Sequence, residues 1–145
     1  MNLAWASLAA TVVLVVAVGS LLLRHALFAN NPIAILIQVL AGLLMLWARL
    51  TLGWRSFHAA ANPTSGGVIT KGPYHLFRHP IYAAILYFMW AGVLSHGSAL
   101  NMLLAAVATA MIAVRMASEE RLLVGRYPEY AAYASRTKRV IPFLF

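Results

Sequence analysis

Four apolar stretches separated by polar connections run along the chain, and each has the length of a helix rather than a strand. Leu3 to Leu23 is almost free of charge. At about 1.5 Å per residue, about 20 residues cross a hydrocarbon layer of about 30 Å. The stretch lacks a basic start and a small-residue cleavage site, which predicts a retained anchor helix ended by Arg24 and His25. Asn30-Asn31-Pro32 sets a capping Asn before a Pro at the first helical position, so a second helix is expected over Ile33 to Leu52. Arg49 lies near its end, where the stem can lie along lipid while the charge reaches water.

The pattern then breaks. Gly53 to Arg78 is a polar connection holding the turn formers Asn62-Pro63-Thr64-Ser65-Gly66-Gly67, and a connection this long points to function. Within it, Val68-Ile69-Thr70 is an apolar island expected to pack on the helices. Pro80 opens a third helix, with His79 at the cap, running to about Leu94. That is short for a perpendicular span, which draws the preceding loop into the headgroup layer. The turn Ser95-His96-Gly97-Ser98 leads to a fourth helix from Ala99 to about Val124, with Gly125 as its stop. So short a connection predicts an antiparallel hairpin of the third and fourth helices. Pro128 restarts a short helix, Glu129 to Arg136, where Tyr127, Tyr130 and Tyr133 beside basic residues predict an interfacial position. The tail Val140 to Phe145 is expected at the membrane edge or on the bundle.

This predicts an all-α integral-membrane protein: four transmembrane helices, a cytoplasmic loop and a C-terminal interfacial helix. One domain spans residues 1–145, with two anchor helices in 1–52 and a functional core in 53–145. Composition agrees. The chain is 63% hydrophobic and 10% charged, where a soluble domain carries about 25% charge. Its net charge of +8 suits anionic headgroups, and no motif for reading nucleic acid accompanies it. Arg49, Arg55, Lys71 and Arg78 gather around the second connection, and Arg115, Arg121, Arg126, Arg136, Lys138 and Arg139 toward the C-terminus. With four spans both groups share one side, the cytoplasmic one, as do both termini, and a bacterial-type inner membrane suits this layout. Cysteine is absent, so no disulfide framework or thiolate metal site is available.

Two clusters carry candidate chemistry. Gly72 to Tyr82 reads G-P-Y-H-L-F-R-H-P-I-Y, and Arg115, Glu119 and Glu120 lie on the fourth helix. Arg115 and Glu119 are four apart and share a face, and charges within spanning helices mark function more often than not. The bland alternative is a set of helix-end charges among headgroups. His79 precedes a proline and is pushed toward an extended backbone, so His75 and His79 do not form a helical metal pair, and no metal site is expected. His58 and His96 read as loop or interface residues. Arg78 would bind a headgroup phosphate or brace the loop through backbone carbonyls. Tyr82 lies three residues after His79, so both can face one pocket at a helix start, where free N–H groups favour an anion.

The joint pattern G-P-Y-x-x-x-R-H-P-I-Y, R-x-x-x-E-E, Tyr127-Pro128-Glu129-Tyr130-x-x-Tyr133 and Ile141-Pro142, over Leu52 to Phe145, resembles the isoprenylcysteine carboxyl methyltransferase family. That superfamily includes phospholipid methyltransferases. The resemblance implies an integral-membrane enzyme using S-adenosylmethionine, with S-adenosylhomocysteine as product. It implies that Val68, Ile69 and Tyr74 line the cofactor pocket and that His79, Pro80, Ile81 and Tyr82 hold the methionine and adenosine parts. Glu119, with Glu120 beside it, would contact the cofactor, and Arg115 would face a lipophilic methyl acceptor; Arg115 and Glu119 are the expected catalytic pair. Gly66-Gly67 departs from the eukaryotic pattern, which argues against a prenylated-protein substrate. The runner-up readings are an NADPH-binding protein similar to sterol reductases and a non-catalytic membrane scaffold subunit.

Overall fold

A computed structural model describes residues 3–53 and 68–141, and the described residues form five α-helices with no strand. The helices are α1 (Leu3–Leu23), α2 (Pro32–Leu52), α3 (Pro80–His96), α4 (Ala99–Arg126) and α5 (Tyr130–Arg136), with one 3-10 turn at Gly72–His75. Expectations resting on Arg55, His58, the 62–67 turn cluster and residues 142–145 lie outside the described residues. Among those residues α2 and α4 are long and apolar enough to cross a membrane, while the apolar stretches Ser7–Leu23 and Pro80–His96 are shorter. At 28 residues α4 runs about 42 Å, longer than the hydrocarbon layer alone requires.

Side-chain pairs fix the directions of the helices. Arg115 meets Thr11 at one end of α4, and Arg24 Nε donates to Asn101 Oδ1 (2.7 Å) at the other, so α1 and α4 are antiparallel. Tyr82 meets Glu119 while Trp90 Nε1 donates to Thr109 Oγ1 (3.0 Å), so α3 and α4 are antiparallel as well. The largest packing surfaces nevertheless join α1 to α4 and α2 to α3, rather than the two helices linked by the short turn. The reason is side-chain size. Small side chains let helix backbones approach closely, and the helices that carry them pair most extensively. Ala34, Ala41 and Ala48 recur every seventh residue along the buried face of α2, and Ala10 and Ala17 do so on α1. Facing them, α3 buries Ala83, Ala84, Ala91 and Gly92, and α4 buries Ala105 and Ala108. A Cβ at Gly92 would strike the Leu27 carbonyl, so only glycine admits the α1–α2 connection here. Gln38 ties the same region together, accepting from the Ala29 N–H (3.0 Å) and donating to the carbonyls of Leu27 (2.8 Å) and Phe88 (3.0 Å).

The expected cap at Asn31 forms, its Oδ1 accepting from the Ala34 N–H at 2.9 Å. The expected stop at Gly125 does not. Helix α4 passes through it to Arg126, and Tyr127 is extended. A helical glycine costs only about 1 kcal/mol, whereas Pro128 bars the residue before it from helical geometry. The third helix runs past Leu94 to His96, closed by Gly97 in a left-handed conformation. Helix α5 begins at Tyr130, not Glu129, and its tyrosines turn inward: Tyr130 is 2% and Tyr133 7% exposed. Tyr133 donates its hydroxyl to the Tyr74 carbonyl at 2.7 Å, so it anchors α5 to the 3-10 turn.

Candidate functional site

The segment before α3 is held in place from three sides. Below it, Gly72 has φ +56°, and a Cβ there would stand 2.6 Å from Thr51 Oγ1, so the 3-10 turn sits directly on the end of α2. Beside it, the chain after α5 runs parallel: the Arg78 N–H donates to the Lys138 carbonyl (2.6 Å) and the His79 N–H to the Arg139 carbonyl (3.1 Å). Above it, Tyr87 donates to the Val140 carbonyl. Arg78 braces the loop, its Nη1 donating to the Ala134 carbonyl at 3.2 Å, one of the two roles expected for it.

This frame delivers His79 and Tyr82 against the carboxylates of α4. Tyr82 donates to Glu119 Oε1 at 2.5 Å, and Arg115 Nε donates to the Tyr82 hydroxyl at 2.9 Å. The expected Arg115–Glu119 pair forms along α4 at 3.5 Å. His79 lies between both carboxylates, with Nε2 3.2 Å from Glu120 and Nδ1 3.8 Å from Glu119. Its ring stands 5.7 Å from that of Tyr82. Glu120 is taken up by the protein itself: Arg139 reaches it through Nε (3.1 and 3.2 Å) and Nη2 (2.9 Å), and Arg78 Nε lies 3.5 Å away. Glu119 is the more open carboxylate, its side chain 22% exposed against 13% for Glu120.

Of the residues singled out from the sequence, His79, Tyr82, Arg115, Glu119 and Glu120 therefore meet in one cluster. Pro80 is buried in the first turn of α3, Ile81 is half-buried beside it, and Val68 and Ile69 are half-buried ahead of the 3-10 turn. Tyr74 is buried, and its carbonyl rather than its hydroxyl holds Tyr133. Burial pushes the Tyr74 phenol above the usual tyrosine range, with the Tyr133 phenol and the Glu119 charge adding to the effect. Burial pushes Tyr133 up to about 12 and Tyr130 higher still. The Tyr130 hydroxyl and Arg78 Nε are buried with no hydrogen-bond partner among the described residues. Arg139 and Thr11 join the cluster without any sequence signal that singles them out; a lone threonine in an apolar helix ordinarily bonds back to its own backbone.

Cationic, anionic and aromatic groups thus converge where α3 begins and α4 ends. Such a set suits a ligand with a positive centre at the open carboxylate and negative oxygens toward the guanidinium. No solved structure matches the chain. It is 28% identical over 134 residues to the cobalt-zinc-cadmium resistance protein CzcN of Cupriavidus metallidurans, covering 92% of this chain and 62% of that protein. It is 30% identical over 100 residues to the nickel-cobalt-cadmium resistance protein NccN of Alcaligenes xylosoxydans xylosoxydans, covering 68% and 43%. The chain therefore spans about two-fifths to three-fifths of the length of these relatives. Residues 31–130, from the cap of α2 to the start of α5, match the phospholipid methyltransferase family, and the chain belongs to it.

Proposed function

We propose that the chain is an integral-membrane methyltransferase that moves a methyl group from S-adenosylmethionine to a lipophilic acceptor at the cytoplasmic membrane face. The observation that carries this is the junction of Tyr82, Glu119 and Arg115 across α3 and α4, with His79 beside it. The donor set fits the cofactor: one carboxylate stays open to a cation while the other is neutralised by arginines. When bound, S-adenosylmethionine supplies an electrophilic methyl on a cationic sulfonium. Glu119 offsets that charge, and Tyr82 and His79 hold the carboxylate in position. Val68, Ile69, Tyr74, Pro80 and Ile81 would complete the cofactor's surroundings, while Glu120 acts behind them, fixing His79 to the C-terminal segment. Arg115 draws an anionic group of the acceptor toward the site, so that positioning and charge placement supply the catalysis.

An apolar cavity of about 240 Å³ supports a lipophilic acceptor; Val18, Leu27, Ala41, Gly42, Met45, Ala84, Ile85, Phe88 and Met89 line it. Ile85 lies one turn of α3 beyond Tyr82, so a hydrocarbon chain could lie in the cavity with its polar end near Arg115. In this reading all four long helices cross an inner membrane with both termini cytoplasmic, α1 and α3 shorter or tilted. The relatives' names extend the reading to resistance against divalent metal ions, which a strain lacking the chain would reveal when challenged with cadmium or cobalt. The direct test is calorimetric titration of purified protein in nanodiscs with S-adenosylhomocysteine, then labelled S-adenosylmethionine with a native lipid extract. A folded protein that binds no S-adenosylhomocysteine refutes the proposal.

A further inference from the structure

Arg115 lies one turn deeper in α4 than Glu119, and three helices hold its guanidinium. Nε donates to Tyr82 of α3 at 2.9 Å, Nη2 stands 3.5 Å from Glu119 of α4, and Nη1 donates to the Thr11 hydroxyl of α1. A guanidinium carries its N–H donors in one rigid plane, so three contacts from three helices fix where the plane stands and how its remaining donors point. Thr11 is set up to accept. Its own hydrogen goes to the Ser7 carbonyl at 2.7 Å, leaving oxygen lone pairs for Arg115.

Helix α1 is more than an anchor. The family match begins at residue 31, so α1 lies outside it. Yet α1 forms one of the two largest packing surfaces in the bundle, against α4, with Ala10 and Ala17 buried on either side of Thr11. Those small side chains bring Thr11 within reach of a guanidinium whose other partners come from the family core.

We propose that Thr11 is a positioning residue of the methyl-transfer site: through Arg115 it sets how tightly the acceptor is held, making α1 the acceptor-side wall. The proposal rests on the methyltransferase reading. Without the hydroxyl, Nη1 loses its acceptor in a poorly hydrated place and the guanidinium turns on its remaining contacts. The cofactor side, Glu119 with Tyr82 and His79, keeps its own bonds.

The test uses the full chain in nanodiscs of native lipid, with Thr11→Val and Thr11→Ser. In protein labelled with 15N-arginine, the Arg115 Nε–H signal is assigned by its disappearance in Arg115→Lys. Thr11→Val should shift that signal and speed its exchange with water, and Thr11→Ser should restore it. The half-saturating amount of lipid extract, with labelled S-adenosylmethionine, should rise about tenfold in Thr11→Val and return to within about twofold in Thr11→Ser. S-adenosylhomocysteine affinity should stay within about twofold throughout, a pattern that general loosening of the bundle would not give. On an Arg115→Lys background, Thr11→Val should add nothing. An unmoved Arg115 signal, or a Thr11→Val effect that persists without Arg115, overturns the proposal. A native chain that binds no S-adenosylhomocysteine overturns the methyltransferase reading instead, and the Arg115 signal still judges the Thr11 contact.

Discussion

Replacing Glu120 by Gln separates the group that holds the site together from the group that faces a ligand. Its carboxylate receives Arg139 at 2.9–3.2 Å and His79 at 3.2 Å, with Arg78 at 3.5 Å. Arg78 is 15% exposed, and its one other side-chain bond among the described residues is to the Ala134 carbonyl. Glu120→Gln therefore leaves a largely buried guanidinium uncompensated. Breaking a buried pair from one side costs about 3–5 kcal/mol. Arg139, at 36% exposure, admits solvent to one side of the cluster and brings the expected loss down to about 2–3 kcal/mol. Arg139→Met leaves Glu120 its bond to His79 and its ion pair with Arg78 and removes a half-wet cation, so it should cost about 1 kcal/mol or less. Reversible unfolding in mixed micelles, followed by tryptophan fluorescence, measures both; Trp90 sits at the α3–α4 contact and reports it directly. If Arg139→Met costs as much as Glu120→Gln, the carboxylate is not the shared hub and the reasoning fails.

Glu119→Gln should leave unfolding within about 1 kcal/mol of the native chain, since its carboxylate is the more open one, while weakening S-adenosylhomocysteine binding about tenfold; calorimetry and unfolding on one preparation check both halves. Gly92→Ala should cost about 1–3 kcal/mol, because its Cβ meets backbone at Leu27 that cannot rotate away, and a native-like melting temperature would refute the close approach. Tyr133→Phe should cost about 1 kcal/mol near neutral pH through loss of the bond to the Tyr74 carbonyl. Burial raises the folded Tyr133 pKa to about 12, so the folded state keeps its proton longer than the unfolded one and stability falls as pH climbs from about 10 toward 12. The Phe variant should lack that part of the alkaline slope, measured as melting temperature against pH.

Much of the fold was legible because long apolar runs set the lengths of helices. Leu3–Leu23 emerges with the bounds its apolar run predicted, and α2 begins where Asn31 and Pro32 said it should. The antiparallel course of α3 and α4 was legible, but which helices pack most closely was not. A short connection makes α3 and α4 antiparallel, but contact area follows the alanines at heptad spacing on α2 and α1, a signal that was in the sequence and depends on size rather than polarity. The inward turn of the α5 tyrosines was not legible: spacing beside arginines says nothing of the Tyr74 carbonyl, whose bond to Tyr133 turns that ring toward the 3-10 turn.

The candidate site divides in the same way. His79, Tyr82, Arg115 and Glu119 were readable because ionisable residues beside apolar helices are costly unless they find one another, and the antiparallel course of α3 and α4 lets them do so. Which carboxylate stays open was not readable, since Glu119 and Glu120 are neighbours in sequence. Consecutive residues on a helix point about 100° apart, so one carboxylate turns toward Tyr82 and Arg115 and the other toward the returning C-terminal segment. Arg139 reaches Glu120 only because residues 76–79 and 138–140 run side by side, a pairing no local periodicity encodes. That segment closes over the start of α3 from outside the helical bundle, as Thr11 approaches Arg115 from α1 on another side. Both lie beyond the matched span of residues 31–130, so the family core supplies the acids while flanking chain determines what surrounds them.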